Sequence, residues 1–462
     1  MSKLYYIETM NKTGKYRTLR LISIFIVLTF NFVHQISIYG QQKNSTAGSQ
    51  LQADSLLLSQ IINDVIQNHP SVKQAAEALN IADAKIGLAK AGYYPYVDLS
   101  GSYTRIDPVP TITLEPFGKF VMAPNNNYNA SLNYNQNIYD FGRTSKDVAY
   151  QNESKNLTQQ SIEQLKQEMA FMVTNIFYTL LYLQDAIDIK KEQLQTLKEH
   201  LDFIIKKKET GSATEYEILT TQVKISGVES QKIDLETARI SMVSAMNTLL
   251  GRPEMNPINV KKELEIELPA QVSDSLISYA ENNRNEMRIA QENTKLANLT
   301  YQLAKSQHNP ILGLYASGGW KNGYFPNLNV MEANYAVGIG LQVPLFNATK
   351  TKNNVLLSKS LIQTADYATE VVRRNIANEV VQSKANVSAS QEKINQFKLQ
   401  LSQAQKALTL AEISYKSGVI TNLDLLDATT AVSESRLSLL KAQIDYVVSI
   451  YKLKVALGEK LY

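Results

Sequence analysis

Cysteine is absent from the 462 residues. That removes disulfides, thiolate metal sites, cysteine nucleophiles and lipidation through cysteine. Glycine (19) and proline (12) are scarce, so few positions interrupt a helix. Charged residues make up 19% of the chain, below the ~25% usual for a soluble protein. The formal charge of +4 is local: Lys3, Lys12, Lys15, Arg17 and Arg20 face only Glu8 near the start, and beyond them 42 basic and 42 acidic residues cancel. A neutral body without a basic stripe speaks against nucleic acid as a partner. Histidine is nearly missing too. His34, His69, His200 and His308 stand alone, and no HExxH, GxSxG, P-loop or dinucleotide fingerprint occurs. Neither an enzyme nor a bound cofactor or metal is expected.

Long apolar runs are also lacking. Leu21 to Val33 is an apolar stretch of thirteen residues, too short for a spanning helix, which needs ~20. With its basic start and the small Gly40 behind it, residues 1–40 read as a secretory signal cut at or near Gln41. No later stretch reaches eighteen apolar residues, so no membrane-spanning helix is expected.

What the chain does have is helix. No glycine or proline falls between Arg143 and Thr210, or between Leu345 and Ser417. At ~1.5 Å per residue, each run can form a helix on the order of 100 Å long. In the first, Ile162, Met169, Ile176 and Leu183 recur every seven residues, with Leu165 and Met172 between them. The phase then shifts by four to Ile187, Leu194 and Leu201, with Leu197 and Ile204, a stutter that locally unwinds a supercoil. In the second, Val387, Ile394, Leu401 and Leu408 repeat by seven, interleaved with Phe397, Ala404 and Ala411; Leu437, Leu440, Ile444, Val447 and Tyr451 continue the rule. These are coiled-coil seams, and their apolar residues are assigned to packing.

The two runs belong to a duplication. Tyr94-Pro95 echoes Asn309-Pro310, and Ile138 with Phe141 echoes Val343 with Phe346. Thr210-Gly211 before Thr214 and Glu217 echoes Ser417-Gly418 before Thr421 and Asp424, and Leu250-Gly251 echoes Leu457-Gly458. A first repeat is assigned to residues 41–252 and a second to 274–462, with a linker at 253–273. Each contains a short helix pair (about 55–92 and 274–308), a β region, a long helix, a glycine turn and a returning helix.

Residues 96–106, 128–141, 310–321 and 333–346 alternate with period two. Tyr335, Val337, Ile339, Leu341 and Val343 share one face; Ala336, Gly338, Gly340 and Gln342 share the other. An apolar face opposite a small, polar one over ~10 residues is the pattern of a transmembrane β-strand between lipid and water. A soluble sheet lying on the helices is the competing arrangement. Four lipid-exposed strands cannot close into a barrel, because open edges leave backbone groups unpaired in lipid. Several chains must share one barrel, and three would give twelve strands.

With these residues in view, the chain resembles the TolC-like outer-membrane efflux channels over essentially its whole length past the leader. The most specific stretch runs from Tyr415 through Gly418, Thr421, Asp424 and Asp427 to Thr430. The resemblance implies a mainly α fold with duplicated halves, a long coiled-coil α-barrel, and a twelve-stranded membrane β-barrel assembled as a homotrimer. It implies location in the outer membrane of a Gram-negative bacterium, with a periplasmic extension. It also implies two partners: a periplasmic adaptor (membrane fusion) protein and an inner-membrane transporter of RND or ABC type. The role implied is the exit duct of an efflux or type I secretion system. Gly211 and Gly418, with Thr214 and Thr421, are assigned to the helix-hairpin turns. Thr214 with Glu217, and Thr421 with Asp424, fit capping boxes. By resemblance Asp424 and Asp427 match an acidic periplasmic aperture, and Tyr415 and Glu217 match positions that hold it shut. The arginine that shares this latch in the family is Ile420 here. Lys206, Lys207 and Lys208 suit either an acidic adaptor tip or a solvated helix end. The main alternative function is a non-transporting periplasmic coiled-coil scaffold, and the cargo is not legible.

Overall fold

The computed structural model describes residues 56–262 and 276–462. The expected signal at 1–40, the first residues of both expected repeats, and the expected linker from residue 263 on lie outside the described residues.

Absence of helix breakers and seven-residue periodicity produce the main feature, which occurs twice. Helix α1 (Leu58–Asn68) and α2 (Pro70–Ala91) lead into strand β1 (Tyr96–Arg105), a small hairpin of β2 (Thr111–Leu114) and β3 (Gly118–Val121), and β4 (Asn126–Tyr139). Helix α3 (Arg143–Glu209) then runs for 67 residues and α4 (Glu215–Leu250) returns for 36. The second half repeats the order with α5 (Leu276–Asn283), α6 (Asn285–Ser306), β5 (Ile311–Lys321) and β6 (Glu332–Gln342). Helix α7 (Lys350–Lys416) has 67 residues and α8 (Asn422–Leu457) has 36. Every boundary of these four helices recurs 207 residues later. A 67-residue helix is about 100 Å long. Among the described residues no helix is long and apolar enough to cross a membrane.

The strand-to-helix junctions follow the same spacing. Phe141 (φ 54°) and Gly142 (φ 83°) correspond to Ala348 (φ 49°) and Thr349 (φ 66°). The backbone equivalent of Phe141 is therefore Ala348, two residues beyond the Phe346 suggested by side-chain similarity. Asp140 accepts from the backbone N–H groups of Gly142 (3.0 Å) and Thr144 (2.7 Å) and so caps α3. Asn347, its equivalent, reaches Thr351 Oγ1 at 2.5 Å.

The interior is duplicated too. In the first half Met169, Val173, Leu180, Val243 and Met246 pack with α1 residues Ile61, Ile62 and Val65. Ile376, Val380, Val387, Ile450 and Leu453 stand 207 positions later and pack with Leu276, Ala280 and Met287. The seam residues Ile162, Met169, Leu183, Ile187, Leu194, Leu197 and Ile204 are buried, whereas Met172 faces away, half exposed. Helix α3 packs on α1, α2, α4, α6 and α8; α7 packs on α5, α6 and α8.

The sheet is antiparallel in the order β1-β4-β5-β6. One row across it is Leu99, Leu132, Gly318 and Tyr335; the next row on that face is Val97, Tyr134, Ala316 and Val337. Nothing among the described residues covers this face: Leu99 is 80% exposed and Tyr335 86%. That rules out the arrangement in which the sheet lies on the protomer's own helices. Rows on the opposite face are small and polar: Asp98, Asn133, Ser317 and Ala336, then Ser100, Ser131, Gly319 and Asn334. Asn133 donates to Asp98 Oδ2 (2.9 Å) and Ser100 Oγ (3.0 Å). A Cβ at Gly338 would stand 2.4 Å from the Tyr315 ring, so glycine there lets the ring lie flat against the sheet. The β2–β3 hairpin lies between the first two alternating segments, where the period-two pattern marks no strand. Its four-residue strands are too short to show a period.

Candidate functional site

The candidate site lies at the two helix turns, one long-helix length from the sheet. Each turn is built the same way. Gly211 (φ 73°) and Gly418 (φ 72°) adopt the left-handed conformation that other residues reach only with strain. Gly211 N–H donates to the Lys208 carbonyl at 2.9 Å and Ser212 N–H to that of Lys207 at 2.8 Å. Gly418 N–H donates to the Tyr415 carbonyl (3.1 Å) and Val419 N–H to that of Ser414 (2.9 Å). The last carbonyls of each long helix are thus satisfied.

The returning helices begin with complete capping boxes. Thr214 N–H donates to Glu217 Oε2 (2.9 Å), and Glu217 N–H donates to Thr214 Oγ1 (3.3 Å). Thr421 N–H donates to Asp424 Oδ2 (2.8 Å), and Asp424 N–H donates to Thr421 Oγ1 (3.3 Å). Bonds from the Thr421 hydroxyl and backbone hold the Asp424 carboxyl below the ordinary carboxylate range, so it stays charged in mild acid. Glu217 and Asp424 therefore have a capping role whatever else they do. Asp427 takes no part in the box. Its carboxylate is exposed, one turn along α8 from Asp424, with Lys224 Nζ of α4 at 3.6 Å.

Tyr415 is 6% exposed. Its ring meets that of His200 edge-on at 5.5 Å between centroids, and Lys207 Nζ lies 4.9 Å above it. Burial, helped by the charge of Glu217, pushes the phenol above its ordinary range, so it stays neutral. The lysine run divides by role. Lys207 covers Phe203 and Tyr415, Lys208 pairs with Glu215, and Lys206 is exposed. Ile420 is half-buried.

Two functional candidates escaped the sequence reading. Asn422, first residue of α8, is 3% exposed. Its Nδ2 lies 3.1 Å from Thr221 Oγ1 and 3.3 Å from the Glu217 carbonyl, while its Oδ1 lies 2.7 Å from His200 Nε2. Deeper in the seam, Gln193 Oε1 accepts from Lys190 Nζ (3.1 Å) and Ser433 Oγ (2.8 Å), with all three residues buried. Desolvation lowers the Lys190 ammonium below its ordinary range. A polar residue interrupting an apolar heptad was the available signal, and a lone asparagine at a helix start reads first as a cap.

A family model described as outer membrane efflux protein matches residues 61–252 and 276–459. Outer membrane protein TolC of Vibrio cholerae is 22% identical over 424 residues, covering 89% of this chain and 92% of that protein. The alkaline protease secretion protein AprF of Pseudomonas aeruginosa is 25% identical over 340 residues, covering 72% and 69%. Among solved structures, the outer membrane protein VceC of Vibrio cholerae superposes with a TM-score of 0.75 at 19% identity, covering 88% of this chain and 97% of that one.

Proposed function

The chain belongs to the outer membrane efflux protein family, channels rather than enzymes, and is an outer-membrane exit duct for efflux or secretion; on that premise we propose how its parts make the duct. Three copies join their four-stranded sheets into one twelve-stranded barrel, apolar face to lipid and polar face to water. The observation that carries this is a sheet whose outer strands, β1 and β6, each pair along one edge only among the described residues. Unpaired strand edges are costly in lipid, and ring closure removes them. The helices continue the tunnel into the periplasm. Helices α4 and α7 do not touch within the described protomer, and both carry exposed apolar side chains: Leu219, Val223 and Ile240 on one, Leu356, Val371 and Leu410 on the other. Neighbouring copies bury these faces.

The turns form the periplasmic mouth. Repeated by three-fold symmetry, Asp424 and Asp427 become two carboxylate rings that attract cations and repel anions. Tyr415 and Glu217 hold the second hairpin against the first. A periplasmic adaptor docks at this end and delivers cargo from an inner-membrane transporter. The relatives fit this reading: the name of AprF assigns it to secretion of a protease, and that of a Pseudomonas putida relative, TtgC, to toluene efflux.

Single-channel recording in planar bilayers tests the assignment. The unaltered protein is expected to conduct and to prefer cations, and Asp427→Ala to reduce that preference and raise conductance. Unchanged conductance and selectivity in Asp427→Ala would remove Asp427 from the aperture. A protein that never conducts would favour the scaffold.

A further inference from the structure

A water-filled barrel needs only a polar wall, and most of the polar face of the sheet is that: asparagine, serine and small residues. Two residues depart from it. Among the paired rows, Tyr96 and Tyr315 are the aromatic residues of this face, and they share one row, Tyr96, Asn135, Tyr315 and Gly338. They are 68% and 50% exposed. Anchoring at a lipid interface does not account for them, because tyrosines placed for that, such as the cross-strand pair Tyr103 and Tyr128, stand on the other face.

Their surroundings are those of a small-ligand site. A cavity of about 520 Å³ opens where α2 meets β1, with Tyr94, Tyr96, Asn135, Asn137, Tyr315 and Gly340 in its lining. That volume falls in the range of roughly 300–1,000 Å³ common for such sites. Glycine makes room for the Tyr315 ring along β6: an added Cβ would stand 2.4 Å from it at Gly338 and 3.7 Å at Gly340. The ring's other face is left open. The side-chain amides of Asn135 and Asn137 are exposed and bond to no protein group among the described residues. Free charge is missing nearby. Asp98, one row from Tyr96, already accepts from Asn133 at 2.9 Å, and Lys321 stands three rows from Tyr315, opposite Glu332. Open ring faces, free amides and no free charge select a neutral, hydroxyl-rich ligand. A pyranose presents C–H groups to an aromatic face, and the hydroxyls on its rim donate and accept as an amide does.

We propose that this row of the barrel wall is a subsite for neutral oligosaccharide chains, repeated three times around the lumen. It rests on the duct reading and names a cargo chemistry for that duct. Sugar rings stack on Tyr315 and Tyr96, and Asn135 and Asn137 hold their hydroxyls.

Current block in planar bilayers tests it, with maltohexaose as the probe, polyethylene glycol of similar mass as the control for simple occlusion, and benzyltrimethylammonium as the aromatic cation. In the unaltered protein maltohexaose is expected to block the ion current saturably and polyethylene glycol to do so far less. Tyr315→Leu should weaken the block about tenfold, the size of one lost ring contact, whereas Tyr315→Phe, which keeps the ring, should retain it. Should Tyr315→Leu fail to assemble, Tyr96→Leu carries the same expectation from the exposed end of the row. A conducting parent that maltohexaose does not block overturns the subsite and leaves the duct standing. So does equal block by polyethylene glycol, equal block in the leucine variants, or block by benzyltrimethylammonium alone. If the parent forms no channel, both readings fall.

Discussion

Position for position, 207 residues apart, the first half buries Phe177 where the second exposes Lys384. It places Thr220 where the second has Asp427, and Glu215 where the second has Asn422. Helix α3 sits among five helices and is buried along much of its length, whereas α7 has three neighbours and leaves Leu356, Leu357, Val371, Val381 and Leu410 uncovered. The shared features are those the fold cannot do without: glycine turns, capping boxes and helix lengths. The differences fall where a half meets something beyond itself. The first half supplies the central packing of the protomer. The second carries Asp424, Asp427 and the buried Asn422, and leaves an apolar flank of α7 exposed.

The largest expected effect sharpens the packing side of that contrast. Phe177→Ala should cost about 3–5 kcal/mol in denaturant unfolding of the detergent-solubilised protein, while Lys384→Ala should stay within about 0.5 kcal/mol. Equal costs would break the claim that the first half carries the core. Next come the helix-end glycines. Gly251 (φ 66°) has open space around it, so Gly251→Ala should cost about 1 kcal/mol through backbone conformation alone. A Cβ on Gly458 (φ 80°) would stand 2.8 Å from the Asn283 carbonyl carbon, and Gly458→Ala should cost about 2–3 kcal/mol in the same assay. The capping threonines follow. Thr214→Ala and Thr421→Ala should each cost about 1 kcal/mol, but only Thr421→Ala, by freeing Asp424, should also shift ion selectivity.

The smallest contrast is in acid. Burial works to raise the Glu163 carboxyl, but Lys460, Lys166 and the Tyr462 hydroxyl overcome it and hold it at about 2, against an ordinary 4.5. This folded value lies below the unfolded one, so the contribution to stability is complete above pH 4.5 and is lost as pH falls from 4.5 to 2. Glu370, 207 residues on, is also lowered, by Arg374 and Arg373, but its side chain is more open to solvent than that of Glu163. Thermal midpoints between those pH values should therefore flatten more in Glu163→Gln than in Glu370→Gln.

Helix length, duplication, strand placement and turn chemistry were legible because each depends on local rules: spacing of glycine and proline, period seven, period two, and Thr with an acid three residues on. Three things were not. Equating Phe141 with Phe346 failed because side-chain likeness is a poorer guide than the positive-φ pair before each long helix. Hairpin β2–β3 was missed for shortness. Asn422 and Gln193 were missed because their partners are more than two hundred residues away, on helices whose mutual rotation no single-helix pattern specifies. The same limit applies to Tyr415, whose burial depends on His200 and Lys207 of another helix.

Native mass spectrometry of the detergent-extracted protein tests the central claim most directly. Three copies in one particle, with no stable population of single chains, is the predicted result. A stable single chain that keeps its strands without detergent would contradict it.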